Sequence, residues 1–330
     1  MIYIVSNSHQ PDFNIAMEEY CFKYMKEQDK IFILWINEPS IIVGKHQNTI
    51  EEINTEYVQE HGIHVVRRIS GGGAVYHDLN NLNYTIISNE DKGVEFDFKT
   101  FSEPVIQTLA ELGVKAEFSG RNDLIIDGKK ICGNAQAYIK GRVMHHGCLL
   151  FDTDLTVLSK ALEAPKHQIR SKSIKSVKSP VDNILPHLPE KISVDEFANR
   201  LLEHMIKKFP DMHEYHFSET DLAIIEKNRK EKFGSWEWNY GYSPKYNISR
   251  EKRFKAGKIQ VMADIENSTI QKIKFYGTFF GNNDEVSQVE EALAGVRYNK
   301  KEVGEFLSKI SYNDYFAGFS LEELTEAIVD

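Results

Sequence analysis

The chain has 330 residues, 49 acidic against 40 basic, with a formal net charge of −9. That balance excludes general nucleic-acid binding, which needs a basic surface to displace counterions from phosphates, so any polyanion handled here is small. Three cysteines (Cys21, Cys132, Cys148) have neither an even count nor metal-ligand spacing; this excludes a disulfide framework and a structural zinc site, and a reducing cytoplasm is expected.

The length suits one large plus one small domain, or two comparable ones, and can bury a sizeable pocket. The start MIYIVSNSHQ lacks a basic region followed by an apolar stretch, and IFILWI, the densest apolar run, is far short of a membrane span. In chain order, DFNIAMEEYCFKYMKEQ predicts a helix with Asp12 as N-cap. Its buried face holds Phe13, Ala16, Met17, Tyr20 and Tyr24, with Cys21 beside it as a small core thiol. IFILWI and SIIVG predict strands broken by NEPS, EEINTEYVQEHG a short helix ended by Gly62, and IHVVRRIS a strand leading into three glycines. A dinucleotide fingerprint or a Walker loop would then open a helix. AVYHDLNNLNYTIIS instead alternates around a DLNN turn and predicts two strands; no GxxxxGKS/T occurs, and GGGAVY fails GxGxxG at its last position.

A helix at FSEPVIQTLAELG precedes a meander, AEFSGRNDLIIDGKKICGNAQAYIKGRVMHHGCLLFDTDL, with a hairpin signal at Asp127-Gly128 and a weaker one at Lys140-Gly141. A tight first turn would set residue 125 opposite 130 and 123 opposite 132, placing Asp123, Ile125, Lys130 and Cys132 on one face. After the basic run PKHQIRSKSIKSVKSP, helices are predicted at SVDEFANRLLEHMIKKF and SETDLAIIEKNRKEKF. The pattern breaks around SWEWNYGYSPKYN, and RFKAGKIQVMADIE and TIQKIKFYGTFFG predict strands before three closing helices. The expected organisation is a domain over 1–245 and a small α+β unit over 246–330.

Three stretches could carry chemistry. Successive glycines in RRISGGGAVYHD remove every β-carbon, so backbone amides can cradle an anion such as a phosphate, with Arg67 or Arg68 supplying charge; a simple turn needs only one glycine. Lys130 shares its expected face with Asp123, which would keep it protonated and oriented, although Lys129 and Lys130 point opposite ways and parity alone leaves open which reaches a cleft. HHGCLL fits either a Cys/His nucleophilic pair or a strand with a packed histidine and a core thiol. The run at 165–180 reads as a solvated loop or as a segment that orders over a bound polyanion.

The motifs RRISGGGAVYHD with NLNYT, GRNDLIIDGKKICGNAQ, HHGCLLFDTDL and SWEWNYG, in that order through most of the chain, resemble the lipoate-protein ligase A family. The glycine stretch is not the GRGRxGR type of the biotin ligases. The resemblance implies an α+β fold with a large mixed, mainly antiparallel sheet flanked by helices, like class II aminoacyl-tRNA synthetases and biotin ligases, plus a small accessory domain. It implies activation of lipoate with ATP and Mg2+ to lipoyl-AMP, then transfer to a lysine of apo lipoyl domains: the E2 subunits of 2-oxoacid dehydrogenases and the glycine cleavage H protein. By position it implies nucleotide contacts at Arg68, Ser70, Gly73, Ala74, Val75, Tyr76 and Asn122, and lipoate contacts at Gly72, His77 and His146. Lys130 would touch both ligands, and Asp123 would serve catalysis and a metal. The lipoyl tail needs apolar walls, which the strands around 31–44 and 63–66 could supply.

Positions 132 and 148 hold cysteine where the family often has a hydroxyl residue. The second expectation is therefore an ATP-independent lipoyl or octanoyl transferase working through a thioester on Cys132 or Cys148. A third, a lipoate-binding relative without turnover, sits poorly with Lys130 and the glycines intact.

Overall fold

A computed structural model of the chain describes residues 1–47, 49–89, 97–139, 141–163, 180–240, 248–279 and 286–329. The domain boundary near 245, Lys140 of the second hairpin, and the basic run up to residue 179 lie outside the described residues.

Fourteen strands are described: β1 Ile2–Val5, β2 Lys30–Trp35, β3 Ser40–Val43, β4 His64–Arg67, β5 Val75–His77, β6 Asn81–Asn89, β7 Glu117–Phe118, β8 Asp123–Ile126, β9 Lys129–Ile139, β10 Arg142–Leu150, β11 His213–Glu214, β12 Ile248–Arg253, β13 Lys258–Glu266 and β14 Thr269–Gly277. The large sheet runs β11-β1-β2-β6-β10-β9-β8-β7. Only β1 pairs in parallel, with β2 and β11; the remaining neighbours are antiparallel, as the chain of hairpins requires. Strand β6 shows why the sheet buries both faces. Its Leu82, Tyr84 and Ile86 join one core with the helices Phe98–Glu111 and Val194–Lys208, while Ile87 joins the opposite core with the helix Pro11–Lys23. Asn83 and Thr85, which alternate with the apolar set, therefore also face the Pro11–Lys23 side.

Over that second face lies a three-stranded sheet of order β4-β3-β5, with Ile42 turned toward the large sheet and Ile41, Val43 and Tyr76 turned into a separate cluster with Ile53, Val58 and Ile63. The small domain is an antiparallel sheet β12-β13-β14 packed on helices Val286–Ala292, Lys300–Ser308 and Leu321–Ile328 around Val261, Phe275, Phe279, Leu307 and Phe316. Contacts that join it to the larger unit include the hydrogen bond from the Gly277 N–H to the His46 carbonyl and the stacking of the His46 ring on Phe279 at 4.5 Å. Among the described residues, no helix is long and apolar enough to cross a membrane.

The first helix departs from expectation. Gln10 is its N-cap and Pro11 takes the first helical position, where a missing N–H costs nothing; Asp12 sits in the first turn and pairs with Arg229 Nε at 2.9 Å. Of the expected buried face, Ala16, Met17 and Tyr20 are buried, but Phe13 is only partly so and Tyr24, past the helix end, is 61% exposed. The helix lies between the sheet and the helix Glu219–Asn228 with its π-helical extension Arg229–Phe233, so Asn14, Glu18 and Glu19 are buried too.

Candidate active site

The floor of the principal pocket is built by strand register. Trp35 lies opposite Asn83, Asn83 opposite Cys148, Cys148 opposite Gly133, and Gly133 opposite Asp123, so one row of side chains crosses five strands of the large sheet. Two residues along, a second row runs Ile33, Thr85, His146, Ala135. The glycine loop and β5 close the pocket from above with Gly72, Gly73, Ala74, Val75 and His77, and Ile15 and Ile42 add apolar wall.

The expected register holds at Ile125 opposite Lys130 and fails beyond it. A bulge between Leu124 and Ile125 pairs Leu124 with Cys132 and Asp123 with Gly133, leaving Ile131 as the extra residue. Cys132 is thereby moved off the Lys130 face and into the core beside Leu124. Lys130 instead shares its face with Gly133 and pairs with Asp123 Oδ1 at 2.9 Å. Glycine at 133 is required by this arrangement: a β-carbon there would stand 2.8 Å from Lys130 Nζ and 2.9 Å from its Cε. Outside the pocket, Lys129 pairs with Asp182 at 2.8 Å, which settles which of the two adjacent lysines reaches the cleft.

The two arginines before the glycines have separate tasks. Arg67 points away from the pocket: its guanidinium donates to the carbonyls of Gly44, Lys45, Gln47, Trp238 and Asn239 and to Thr49 Oγ1, over 2.6–3.2 Å. Arg68 lies beneath the glycine loop, donating to Ile42 O at 3.0 Å, Gly73 O at 2.8 Å, Gly71 O, and Ser70 Oγ at 2.9 Å. Burial lowers both guanidinium groups to about 10, so both remain charged at neutral pH. Close approach of β3 to the loop depends on Gly44, where a β-carbon would fall 2.1 Å from the Gly72 carbonyl oxygen.

Of the residues expected at the site, Arg68, Gly72, Gly73, Ala74, Val75, His77, Asn122, Lys130 and His146 line one pocket. Ser70 stands behind it, bonded to His146 Nε2 at 2.6 Å. The Tyr76 side chain faces the opposite cluster, because β5 alternates, so only its backbone is near the pocket. Asp123 reaches the site through Lys130. Strand β3 and Trp35 supply apolar wall as expected, but residues 63–66 do not line the pocket, since β4 is the outer strand of the small sheet and Val66 packs in the core. Sequence reasoning missed Glu18, Asn83, Thr85 and Asn134, whose polar side chains become special only when the sheet registers bring them together.

Titration follows from burial. His77 is pushed down to about 3 by desolvation and then by the nearby Arg68 charge. The neutral ring accepts from Asn37 Nδ2 at its Nδ1 (3.1 Å), so Nε2 carries the proton, with no partner among the described residues. The two histidines of HHGC divide by parity. His145 is a packed core residue between Tyr84 OH and Gln136 at 3.0 Å each, stacked on Phe101, and burial holds it well below its ordinary value. His146 faces the pocket. Cys148 lines the pocket, but burial pushes its thiol up to about 12 despite a hydrogen bond from Asn81 at 3.2 Å, and burial drives Cys132 well above the ordinary thiol range. Neither offers a thiolate at neutral pH, so a thioester relay does not fit. Among the described residues, no group of three or more His, Cys, Asp or Glu could hold a metal.

The pocket therefore offers one charged lysine, a loop of small residues on a buried guanidinium, and an apolar end. The chain is 44% identical over 324 residues to lipoate-protein ligase LplJ of Bacillus subtilis (strain 168), covering 98% of each. It is similar in structure to an archaeal bi-partite lipoate protein ligase from Thermoplasma acidophilum, described with its E2 lipoyl domain, at a TM-score of 0.65 and 29% identity, covering 74% of this chain and 98% of that one. A lipoate-protein ligase A bound with ATP gives a TM-score of 0.63 at 28% identity, covering 73% and 98%. The sequence model of the bacterial lipoate protein ligase C-terminus matches residues 243–328, and that of the lipoyl protein ligase A/B catalytic domain matches residues 10–206; the chain belongs to the lipoyl protein ligase A/B family.

Proposed function

We propose that the chain activates the carboxylate of lipoic acid with ATP and transfers the lipoyl group to a lysine of an apo lipoyl domain. The observation that carries this reading is Lys130, paired with Asp123 and laid across Gly133 into a pocket whose opposite wall is the glycine loop. In the first step a carboxylate oxygen attacks the α-phosphorus of ATP and pyrophosphate leaves. Two anions must meet, so the site has to supply positive charge, and the Lys130 ammonium in the pocket is the group that would supply it. Arg68 holds the loop in shape from behind, with its donors spent on carbonyls. In the second step the acceptor amine attacks the acyl carbon, loses a proton, and AMP leaves; no enzyme nucleophile is needed, and the same ammonium steadies the developing oxyanion. The aliphatic chain and dithiolane would lie against Ile15, Trp35, Ile42 and Val75.

Asp123, with one carboxylate, fits a magnesium ion only as a single ligand, the remainder of the shell coming from phosphates and water. Bound there, the ion would neutralise phosphate charge. Acceptors are the lipoyl domains of E2 subunits, by likeness to the archaeal ligase described with such a domain; the glycine cleavage H protein is proposed on the same acceptor chemistry, a lysine presented to the adenylate. Residues 1–245 would form the adenylate-forming unit and 246–330 the accessory one, in the cytoplasm. Incubating the protein with ATP, magnesium, lipoate and an apo lipoyl domain is expected to add one lipoyl group to the domain's mass. An unchanged domain mass with consumed ATP, or modification without ATP, overturns the reading.

A further inference from the structure

Behind the pocket lies a continuous chain of hydrogen bonds that the reaction described above does not use directly. Glu18, 1% exposed in the helix Pro11–Lys23, faces the second sheet row. Its carboxylate meets His146 Nδ1 at 3.0 and 3.2 Å and accepts from Thr85 Oγ1, which in turn accepts from Trp35 Nε1 at 3.1 Å. On the other side of the ring, His146 Nε2 is 2.6 Å from Ser70 Oγ, and Ser70 Oγ accepts from Arg68 Nε at 2.9 Å. Arg68 then reaches Gly73 O at 2.8 Å, in the loop that walls the pocket.

We propose that Glu18 is a positioning residue that sets the glycine loop through His146, Ser70 and Arg68. A carboxylate can only accept, so the proton of a neutral His146 must sit on Nδ1 and Nε2 must be a lone pair. Ser70 then has one arrangement: its O–H donates to Nε2 while its oxygen accepts from Arg68 Nε. That fixes one edge of the Arg68 guanidinium and leaves its NH groups aimed at the carbonyls of Ile42, Gly71 and Gly73. Direction runs through the whole chain, from Arg68 to Ser70 to His146 to Glu18, and a second arm runs from Trp35 through Thr85 to the same carboxylate. The carboxylate is the single end at which both arms terminate, so its replacement by a group that can also donate removes the direction of both.

The test is the tautomer of His146, read by 15N NMR on the substrate-free protein at neutral pH, in wild type and in Glu18→Gln, together with steady-state kinetics of lipoylation. The tautomer arm stands apart from the proposed activity; only the kinetic arm rests on it. Wild type is expected to show the proton on Nδ1. Glu18→Gln, whose amide can accept or donate at Nδ1, is expected to show mixed tautomers and a KM for ATP raised about tenfold, with kcat changed less, while Glu18→Asp keeps the wild-type tautomer. Wild-type His146 protonated on Nε2, an unchanged tautomer in Glu18→Gln, or an unchanged KM for ATP in that folded variant overturns the proposal. Should Glu18→Gln fail to fold, the wild-type tautomer alone still decides.

Discussion

At the scale of single residues, the site depends on Lys130 being delivered by a bulge rather than by a regular strand. With Ile131 taken up as an extra residue, Lys130 and Gly133 share a face that regular alternation would deny them. Lys130→Ala is expected to lower kcat for lipoylation about a hundredfold or more, the scale of losing a charge aimed at the transition state. Cys132→Ser and Cys148→Ser should stay within about threefold, because neither thiol ionises near neutral pH and a hydroxyl can take up the same contacts; kinetics on the three variants checks both statements, and a cysteine variant as damaged as Lys130→Ala would contradict them. Gly133→Ala separates placement from folding. The new methyl crowds the flexible end of Lys130 and touches Asp123 Oδ1 at an ordinary 3.9 Å, so stability should fall by about 1 kcal/mol or less. A displaced ammonium should nonetheless cost about tenfold to a hundredfold in kcat.

At the scale of elements, the short helix Trp236–Asn239, which the sequence marks as a break in pattern and as part of the SWEWNYG motif, proves to be a clamp on Arg67. Asn239 Oδ1 accepts from the Arg67 backbone N–H at 2.9 Å, Trp238 Nε1 donates to the Arg67 carbonyl at 2.8 Å, and the guanidinium bridges the Trp238 carbonyl and those of Gly44, Lys45 and Gln47. Arg67→Lys keeps the charge but has a point donor in place of a planar fork. It is expected to lower unfolding free energy by about 3 kcal/mol or more, with urea denaturation as the measurement, since buried carbonyls lose charged donors. Local rules made the strands, the Asp127-Gly128 turn (φ 50° and 77°) and the long helices legible. They left the bulge hidden, because Asp123, Lys130 and Gly133 are compatible with either register until the neighbouring strand is placed. For the same reason Glu18 carries no signal of its own in the sequence. The pair Glu18-Glu19 marks a buried turn only once the sheet and the helix Glu219–Asn228 are known to cover both sides.

At the scale of the whole molecule, the sheet content, order of helices and small terminal unit follow from periodicity, whereas the seat of one unit on the other, at His46, Gly277 and Phe279, does not. Burial on this scale has a consequence for pH. His46, His77 and His145 are held below their ordinary values by desolvation, with His77 near 3. In the unfolded chain each titrates near about 6.5, so below that pH the unfolded state binds more protons than the native state. Their contribution to stability is fully present above about 6.5 and declines as pH falls, with a slope approaching about 1.4 kcal/mol per pH unit for each histidine. Urea unfolding at a series of pH values from 7.5 to 4 should show this decline beginning near 6.5; a flat profile down to 5 would contradict it. Isotope exchange between ATP and labelled pyrophosphate, with lipoate and magnesium but no lipoyl domain, tests whether the proposed pocket joins lipoate to AMP before any acceptor arrives. Exchange is expected to require lipoate and to vanish in Lys130→Ala. Absence of exchange, alongside a hydroxylamine-sensitive acyl group on the protein itself, would contradict it.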